Sequence, residues 1–105
     1  MERKGKCRFK QKALKKILYF QSDNGSSLMV MYNKNQEVID LSLSEVEKLL
    51  PRGKFYRVHR SYLVNINAIS EFRYFRNQLL AVVHQYRIPV SRRKRKHLID
   101  NLEIL

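Results

Sequence analysis

The chain has 105 residues, 44% of them hydrophobic, which suits one small domain with a single modest core and excludes a disordered chain. Its 22 Lys and Arg against 9 Asp and Glu give a formal net charge of +13. Like charges at this density repel each other, so the charge indicates a polyanionic partner, nucleic acid first and an anionic membrane second. The plain alternative is a merely soluble basic protein, and a protein-interaction module fits only if its partner is acidic.

Cysteine usage and hydropathy indicate the compartment. Cys7 is the only cysteine, which excludes an internal disulfide and a multi-cysteine metal site. The basic N-terminus is not followed by an apolar run long enough for a signal peptide, and no stretch could span a bilayer. We therefore expect a cytoplasmic protein with no membrane partner.

Residues 1–41 predict a basic segment followed by short antiparallel strands. Residues 1–13 form the basic segment, where residues 8–10 favour an edge strand and a basic arm lying on phosphates is the alternative. The dipeptide Asn24-Gly25 is the strongest hairpin signal in the chain, because both residues accept the positive φ of a tight turn. After a helical turn at residues 13–17, strands are predicted over residues 18–21, 28–32 and 37–41, with a second turn at 33–36.

Residues 42–53 predict a short amphipathic helix. Ser42 and Ser44 compete as N-caps, each with a glutamate three residues on, as a capping box requires. The acidic first turn matches the helix dipole, so we interpret Glu45 and Glu47 as structural and not catalytic. The apolar face comprises Leu43, Val46, Leu49 and Leu50, and Pro-Arg-Gly at residues 51–53 ends the helix.

Residues 55–65 read Phe-Tyr-Arg-Val-His-Arg-Ser-Tyr-Leu-Val-Asn and combine three donor side chains with aromatic and β-branched residues. In an extended chain Arg57 and His59 point to one side and Val58 to the other, so an apolar side enters the core while the opposite side presents donors. The alternation stops at Arg60 and Ser61, which predicts a strand that ends in a loop. Donors on a loop held by a rigid scaffold are typical of a binding surface.

Residues 66–102 predict three more strands and a final helix. Strands are expected over residues 66–72, 79–83 and 86–89, with turns at 75–78 and 84–85. Pro89 lacks an amide hydrogen, so it marks the end of its strand or an edge of the sheet. Ser91 is predicted to cap a helix over residues 92–102 with a buried stripe of Leu98, Ile99 and Leu102.

The run Ser-Arg-Arg-Lys-Arg-Lys-His at residues 91–97 is the densest cluster of charge. Such runs are often only a solvated helix face. This one begins beside a turn and opens with Arg92 and Arg93, the residue type that binds guanine O6 and N7 bidentately and also binds phosphate. The run is therefore a candidate for nucleic-acid contact.

Acidic residues and histidines form no catalytic or metal-binding pattern. Glu37 and Asp40 are three residues apart on a predicted strand and face opposite sides, and the other acids are dispersed. The three histidines have no close-spaced partner ligands. We therefore expect a binding domain that is not an enzyme, with no catalytic residue, no metal and no cofactor.

Residues 55–65, residues 88–94 (Ile-Pro-Val-Ser-Arg-Arg-Lys) and residues 17–22 (Ile-Leu-Tyr-Phe-Gln-Ser) together resemble the LytTR domain, the DNA-binding module of AgrA/LytR/AlgR-type bacterial transcription regulators. The most specific string is His-Arg-Ser-Tyr-Leu-Val-Asn, and the resemblance spans residues 14–102 in the family's order. The sequence pattern by itself predicts a mainly β fold with one central helix and a short C-terminal helix. The resemblance adds small antiparallel sheets in an elongated body and one domain over residues 1–105.

The resemblance also implies how the domain recognises a double-stranded promoter site. LytTR domains insert loops, and not a recognition helix, into successive major grooves, and three loop positions reach bases. On this chain they fall at Ser27, at Arg60 and at Arg93, and Asn24, which begins the hairpin loop that contains Ser27, is a further candidate for base contact. Arg60 replaces an asparagine of some members, so we expect its preference to shift from adenine towards guanine. Phosphate contacts are expected from Arg57, His59, Arg92, Lys94 and Lys96.

The resemblance further implies partners besides DNA. LytTR domains bind direct-repeat sites, and a homodimer on two half-sites is a family expectation. Most relatives carry the module behind a phosphorylatable receiver domain. A chain of 105 residues has no room for a receiver, so we expect either a fragment or a stand-alone regulator.

RNA binding is the rival function. Six Tyr and five Phe among basic residues would suit stacking of unpaired bases. Most of these aromatic residues occupy alternating strand positions, where core packing is the better explanation. Three near turns, Tyr32, Tyr74 and Tyr86, remain open to either interpretation.

Overall fold

A computed structural model describes the backbone of residues 11–102 and the side chains of residues 13–98. Short strands predominate in this range, and four of the connections between them are turns of only two residues. The elements are α1 (Gln11–Leu14), β1 (Ile17–Asp23), β2 (Ser26–Met31), β3 (Gln36–Ile39), α2 (Leu43–Leu49), β4 (Phe55–His59), β5 (Tyr62–Asn65), a 3-10 turn (Ile66–Ala68), β6 (Ile69–Phe75), β7 (Gln78–Val83), β8 (Tyr86–Val90) and α3 (Arg92–Leu102).

The first sheet has five antiparallel strands in the order β3-β2-β1-β5-β4 and is covered on both faces. Neighbouring residues of a strand point to opposite faces, and β1 shows this with Tyr19 and Phe20. Phe20 lies in the core beneath α2, together with Val46. Tyr19 lies in the other core, between this sheet and the second sheet with α3, where Val58 and Leu98 are also buried.

The second sheet has three antiparallel strands in the order β6-β7-β8. β7 is the central strand, and its residues Leu79, Ala81 and Val83 point into the core shared with the first sheet. Pro89 pairs with Leu80 in the edge strand β8, which confirms the prediction that this proline lies at a sheet edge.

The turns of the first sheet divide between its two ends. β1 pairs antiparallel with both β2 and β5, so the turn at residues 24–25 and the turn at residues 60–61 lie at the same end, which we call the turn edge. The β2–β3 connection at residues 32–35 and the α2–β4 connection at residues 50–54 lie at the other end, the opposite edge.

The predicted fold class is confirmed. The described part of the chain is mainly β, consists of small antiparallel sheets and is elongated, with extents of 47 × 24 × 23 Å. The central helix begins as predicted. Ser42 wins the competition for its N-cap, because Ser42 N donates to Glu45 Oε1 at 2.8 Å and Glu45 N donates to Ser42 Oγ at 3.2 Å. Ser91 caps α3, accepting at Oγ from Lys94 N.

Several boundaries differ from the predictions by a few residues, and two of the differences have a clear cause. Residues 66–68 form a 3-10 turn and not the start of a strand, because the Asn65 side chain accepts from Asn67 N and caps the turn. β6 continues to Phe75, so the following turn contains only Arg76 and Asn77. The edge strand expected at residues 8–10 lies outside the described residues, as do the side chains at positions 99 and 102 of the expected stripe.

Candidate nucleic-acid interface

The β4–β5 turn carries Arg60 at its tip, fully outside the core. Arg60 and Ser61 are the only residues between the two strands, and Arg60 is exposed. Ser61 O accepts from Ser22 N at 2.9 Å, which fastens the turn to the end of β1. The structure thus places Arg60 on a loop anchored to the scaffold, as the sequence predicted.

The Arg57 side chain stabilises this turn through hydrogen bonds to backbone oxygens. Its Nη2 donates to Arg60 O at 2.6 Å and its Nε donates to His59 O at 3.2 Å. Its Nη1 contacts Glu47 Oε1 at 3.2 Å, in an ion pair with α2 in which the Arg57 side chain is 21% exposed. The guanidinium is therefore occupied by three protein oxygens. Its geometry is that of a group that positions the turn, while the phosphate contact predicted for Arg57 stays a prediction.

His59 is held neutral beside two arginines. Its Nδ1 accepts from Ser61 N at 3.1 Å, which leaves Nε2 as the N–H donor of the neutral ring. Burial lowers the pKa of His59 below its usual value, and the positive charges of Arg60 and Arg57 lower it further. The ring also lies 5.7 Å from the Tyr62 ring, edge to face. His59 can therefore donate one hydrogen bond to a phosphate without adding a charge.

A hydrogen bond brings the start of α3 to β4. The β4–β5 register shifts at Val58, between Arg57 and His59, and Val58 O accepts from Ser91 N at 2.8 Å. A shift of this kind leaves a backbone group unpaired within the strand pair, and here Ser91, the residue between β8 and α3, pairs with it. Arg60 and Arg93 each lie two residues from this hydrogen bond, so their segments are neighbours.

Basic residues of the first turns of α3 differ in their surroundings. Arg92, Arg93 and Lys96 are exposed. Lys94 is half-buried, and its Nζ lies 5.5 Å from the centre of the Tyr56 ring. The exposed cations stand at a helix N-terminus, where the backbone dipole also favours an anion.

Asn24 and Ser27, the two residues of the first hairpin that were predicted to contact bases, are in different environments. Asn24 is exposed at the turn edge, with φ 49° beside Gly25 with φ 88°, as a two-residue hairpin turn requires. Ser27 is 0% exposed, and its hydroxyl donates to Leu41 O at 2.8 Å. The Ser27 hydroxyl is therefore not available to a partner in this structure, which runs against the base contact expected there.

A fourth segment, the β6–β7 turn near α3, was not predicted as part of the site. The β6–β7 turn presents Arg76, next to Phe75 and Tyr74, which are 60% and 63% exposed. Arg95 Nη2 donates to Asn77 O at 3.4 Å, which joins this turn to α3. Tyr74 had been noted near a turn, but the spacing of the sequence does not show that a hairpin 18 residues away lies beside the basic run.

The three tyrosines near turns, Tyr32, Tyr74 and Tyr86, also differ in burial and in ring contacts. Tyr86 is half-buried, and its ring lies 5.3 Å from the Tyr19 ring in the core. Tyr32 is 43% exposed and contacts His84 edge to face, with ring centres 4.6 Å apart. Core packing therefore explains Tyr86, whereas Tyr32 and Tyr74 present ring surface to solvent.

Other kinds of site find no support in the described part of the chain. Among the described side chains, those of residues 13–98, no group of three or more His, Cys, Asp and Glu could hold a metal ion. Within residues 11–102, no helix is long and apolar enough to cross a membrane.

Comparison with known proteins identifies related chains. The family model of the LytTr DNA-binding domain matches residues 8–103. Sensory transduction protein LytT of Oceanobacillus iheyensis is 37% identical over 90 residues, which cover 80% of this chain and 36% of LytT. LytT of Bacillus subtilis is 34% identical over 92 residues, 86% of this chain and 38% of that protein. Transcriptional regulatory protein YpdB of Escherichia coli K12 is 29% identical over 82 residues, 75% of this chain and 34% of YpdB.

A solved structure shares the fold. It is a LytTr DNA-binding domain from Bacillus cereus, with a TM-score of 0.77 and 26% identity over 88% of this chain and 85% of that one. The chain spans well under half the length of the curated relatives named above. Because the family model covers nearly all of the sequence and a solved member has the same architecture, the chain belongs to the LytTR family of DNA-binding domains.

Proposed function

We propose that this domain binds double-stranded DNA with sequence preference, as the DNA-binding part of a bacterial transcription regulator acting in the cytoplasm. Family membership supports the class of ligand, and the names of LytT and YpdB support a role in signal-dependent transcription. The mechanism is equilibrium binding with no catalytic step: cations that neutralise phosphates supply affinity, and a few loop donors supply sequence preference.

The observation that carries the proposal is a pair of backbone hydrogen bonds. Ser22 N donates to Ser61 O at 2.9 Å, and Ser91 N donates to Val58 O at 2.8 Å. They bring together three exposed segments that are far apart in sequence, at residues 24–25, 60–61 and 92–93. Strands are about 4.8 Å apart, so the turns at 24–25 and 60–61 are separated by roughly 10 Å. Such a row of projecting turns suits a groove better than a flat surface.

The roles of the side chains follow from their surroundings. Arg60 and Arg93 are exposed and donate to base edges, with Asn24 as a further donor at the turn edge. Arg92, Lys94 and Lys96 bind phosphates, and neutral His59 donates one hydrogen bond to a phosphate. Ser27 is left out because its side chain is buried, and Arg57 acts by holding the β4–β5 turn. If the three cations assigned to phosphates each neutralise one, log K falls with log[salt] at a slope of roughly −3.

The size of the body supports contacts in successive major grooves. Its long dimension of 47 Å exceeds the ~34 Å that one turn of the duplex occupies. We extend the proposal to one domain over residues 1–105, with a basic segment at 1–13, and to a direct-repeat site bound by two copies. If the chain is a fragment of a longer regulator, a receiver domain elsewhere in that polypeptide is a further part of this proposal.

Selection of bound duplexes from a random pool tests the base contacts. The wild-type domain is expected to select a motif, and Arg93→Ala and Arg60→Ala are each expected to relax one position at a cost of about 1–3 kcal/mol. Arg52→Ala is the matched control, because Arg52 is exposed at the opposite edge. If neither variant changes the motif, the assignment of these two arginines is wrong even though the domain binds DNA.

A competition assay separates DNA from RNA. Tyr32 and Tyr74 present ring surface that could stack an unpaired base, which is the observation that favours RNA. The duplex is expected to win against single-stranded RNA at equal salt concentration, because the exposed arginines lie on projecting turns and most of the other described aromatic side chains pack in or against the two cores. Preference for RNA would reject the proposed function.

A further inference from the structure

The β6–β7 tip, residues 74–77, has an unusual turn sequence. Its two central residues, Arg76 and Asn77, have positive φ values of 51° and 68°. Two-residue hairpin turns of this kind favour Gly, Asn and Asp, because a longer L side chain brings Cβ close to the following carbonyl. The hairpin at the turn edge has Asn24 and Gly25 instead. The backbone gains nothing from arginine at position 76, so any benefit of Arg76 comes from its side chain.

The tip presents a cation supported by an aromatic ring. The guanidinium carbon of Arg76 lies 5.1 Å from the centre of the Phe75 ring. Phe75 is 60% exposed, so the ring is not there to fill a core. A planar guanidinium can rest one face on a ring while its N–H groups remain free to donate in the plane. Arg76 is therefore held in place with its donors available.

A second aromatic–arginine contact joins the tip to α3. The guanidinium carbon of Arg95 lies 5.3 Å from the centre of the Tyr74 ring, and its Nη2 donates to Asn77 O at 3.4 Å. Arg95 follows Arg93 by two residues in the same helix. The tip is thus fixed to the first turns of α3, beside the residues that are proposed to contact DNA.

We propose that the β6–β7 tip is an additional DNA contact, in which Arg76 binds a backbone phosphate next to the segment of duplex that the start of α3 engages. This inference rests on the proposed function. A phosphate is the expected ligand because one stacked guanidinium on a rigid tip supplies charge and planar donors, without the paired donor and acceptor groups that distinguish bases. The contact adds affinity and does not change sequence preference.

Arg76→Gly tests the contact without harming the fold. Glycine adopts positive φ readily, so the variant is expected to melt at the same temperature as the wild type or higher. At about 0.15 M salt its Kd for the selected duplex is expected to rise about fivefold, and the slope of log K against log[salt] to become less negative by about 0.9. The selected motif is expected to stay the same.

Lys34→Gly is the matched control. Lys34 also has positive φ, 71°, is exposed, and lies in the β2–β3 turn at the opposite edge. Like Arg76→Gly, this change removes one positive charge and places glycine at a residue with positive φ. It therefore controls for the effects of net charge and of turn stability. Its Kd and salt slope are expected to stay close to those of the wild type.

The outcomes distinguish the tip from the proposed function. If Arg76→Gly and Lys34→Gly give equal Kd values and equal slopes while the wild type selects a motif, the tip contact is wrong and the proposed function stands. The tip contact is also wrong if Arg76→Gly changes only the sedimentation of the DNA-free domain, because the tip would then be a protein interface. If the wild type shows no preference for duplex DNA, the proposed function fails and the tip contact fails with it.

Discussion

The turn edge and the opposite edge of the first sheet both carry basic residues, but they present them on surfaces of different shape. At the turn edge and the adjacent start of α3, exposed arginines stand on short segments that project from the sheets, with Arg60 and Arg93 as examples. At the opposite edge, Lys15 and Lys54 line a cavity of about 300 Å³, and Lys48 and Arg52 line one of about 600 Å³.

The difference shows that charge alone does not locate the binding surface of a protein with a net charge of +13. Both edges attract an anion. A major groove about 12 Å wide and 8.5 Å deep accepts a projecting turn, whereas a concave surface cannot enter a groove. The two edges are therefore both basic in composition, and they differ in the shape of their surface and in the hydrogen bonds that anchor their turns.

The largest expected effect is the loss of affinity when two exposed basic residues are removed from the turn edge. The same number of basic residues removed from the opposite edge is the comparison. Arg60→Ala with Arg93→Ala is expected to weaken binding of the selected duplex by about 2–6 kcal/mol, since each base contact contributes about 1–3 kcal/mol. Arg52→Ala with Lys54→Ala removes the same charge at the opposite edge and is expected to cost less than about 1 kcal/mol. Fluorescence anisotropy at one salt concentration measures both.

Equal losses from the two pairs would contradict the comparison. They would mean that the domain binds through its net charge, with no preferred face. Melting curves of both double variants are needed beside the affinities, although all four side chains are exposed and their removal is expected to leave the fold intact.

A smaller effect is expected from the ion pair behind the turn edge. Glu47→Gln leaves the charge of Arg57 in place but weakens its attachment to α2. If Arg57 positions the turn, discrimination at the base pair read by Arg60 is expected to fall about threefold for Glu47→Gln and about tenfold for Arg57→Gln, from the loss of about 0.7 and 1.4 kcal/mol. The salt slope of Glu47→Gln is expected to remain unchanged.

The alternative role of Arg57 gives the opposite pattern. If Arg57 binds a phosphate directly, Glu47→Gln frees it and strengthens binding, while Arg57→Gln makes the salt slope less negative by about 0.9 without altering discrimination. Glu37→Gln is the matched control, because Glu37 is an exposed acid in β3, away from the turn edge. It corrects for the removal of one negative charge from the whole domain.

Local structure at both edges could be predicted from the sequence. The dipeptide at Asn24 and Gly25 determines its own turn, and the capping box of Ser42 and Glu45 requires only residues three apart. The alternation around Val58 correctly placed that residue in the core and the arginine after His59 in a turn. In each case the physical cause lies within a few residues of the effect.

What could not be predicted depends on partners distant in sequence. The burial of Ser27 depends on Leu41 O, 14 residues away, and the attachment of α3 depends on Val58 O, which Ser91 reaches only because the sheets stack. The three acceptors of Arg57, which lies in β4, include one on helix α2, ten residues away in sequence. A sequence pattern shows that these side chains have donors to satisfy, but not whether a protein oxygen or a phosphate satisfies them.

The smallest expected effect is a dependence on pH at the turn edge, and it tests whether His59 faces the duplex. The pKa of His59 is lowered in the free domain, so the ring is neutral at pH 7 and the native state binds fewer protons than the unfolded state. The stability contributed by this group is therefore present above the usual pKa of about 6.5 and is lost as the pH falls through the lowered pKa. A nearby phosphate favours the imidazolium, so DNA raises this pKa and binding takes up protons.

Affinity for DNA is accordingly expected to rise about two- to threefold between about pH 7.5 and pH 6, while thermal stability falls slightly. His59→Gln is expected to remove both trends, whereas His84→Gln, in the exposed β7–β8 turn at the far end of the second sheet, is expected to keep them. NMR titration of the His59 ring with and without duplex measures the pKa directly. A pKa that DNA leaves unchanged would place His59 away from the phosphates, and the turn edge would then contact DNA through Arg60 without its neighbour.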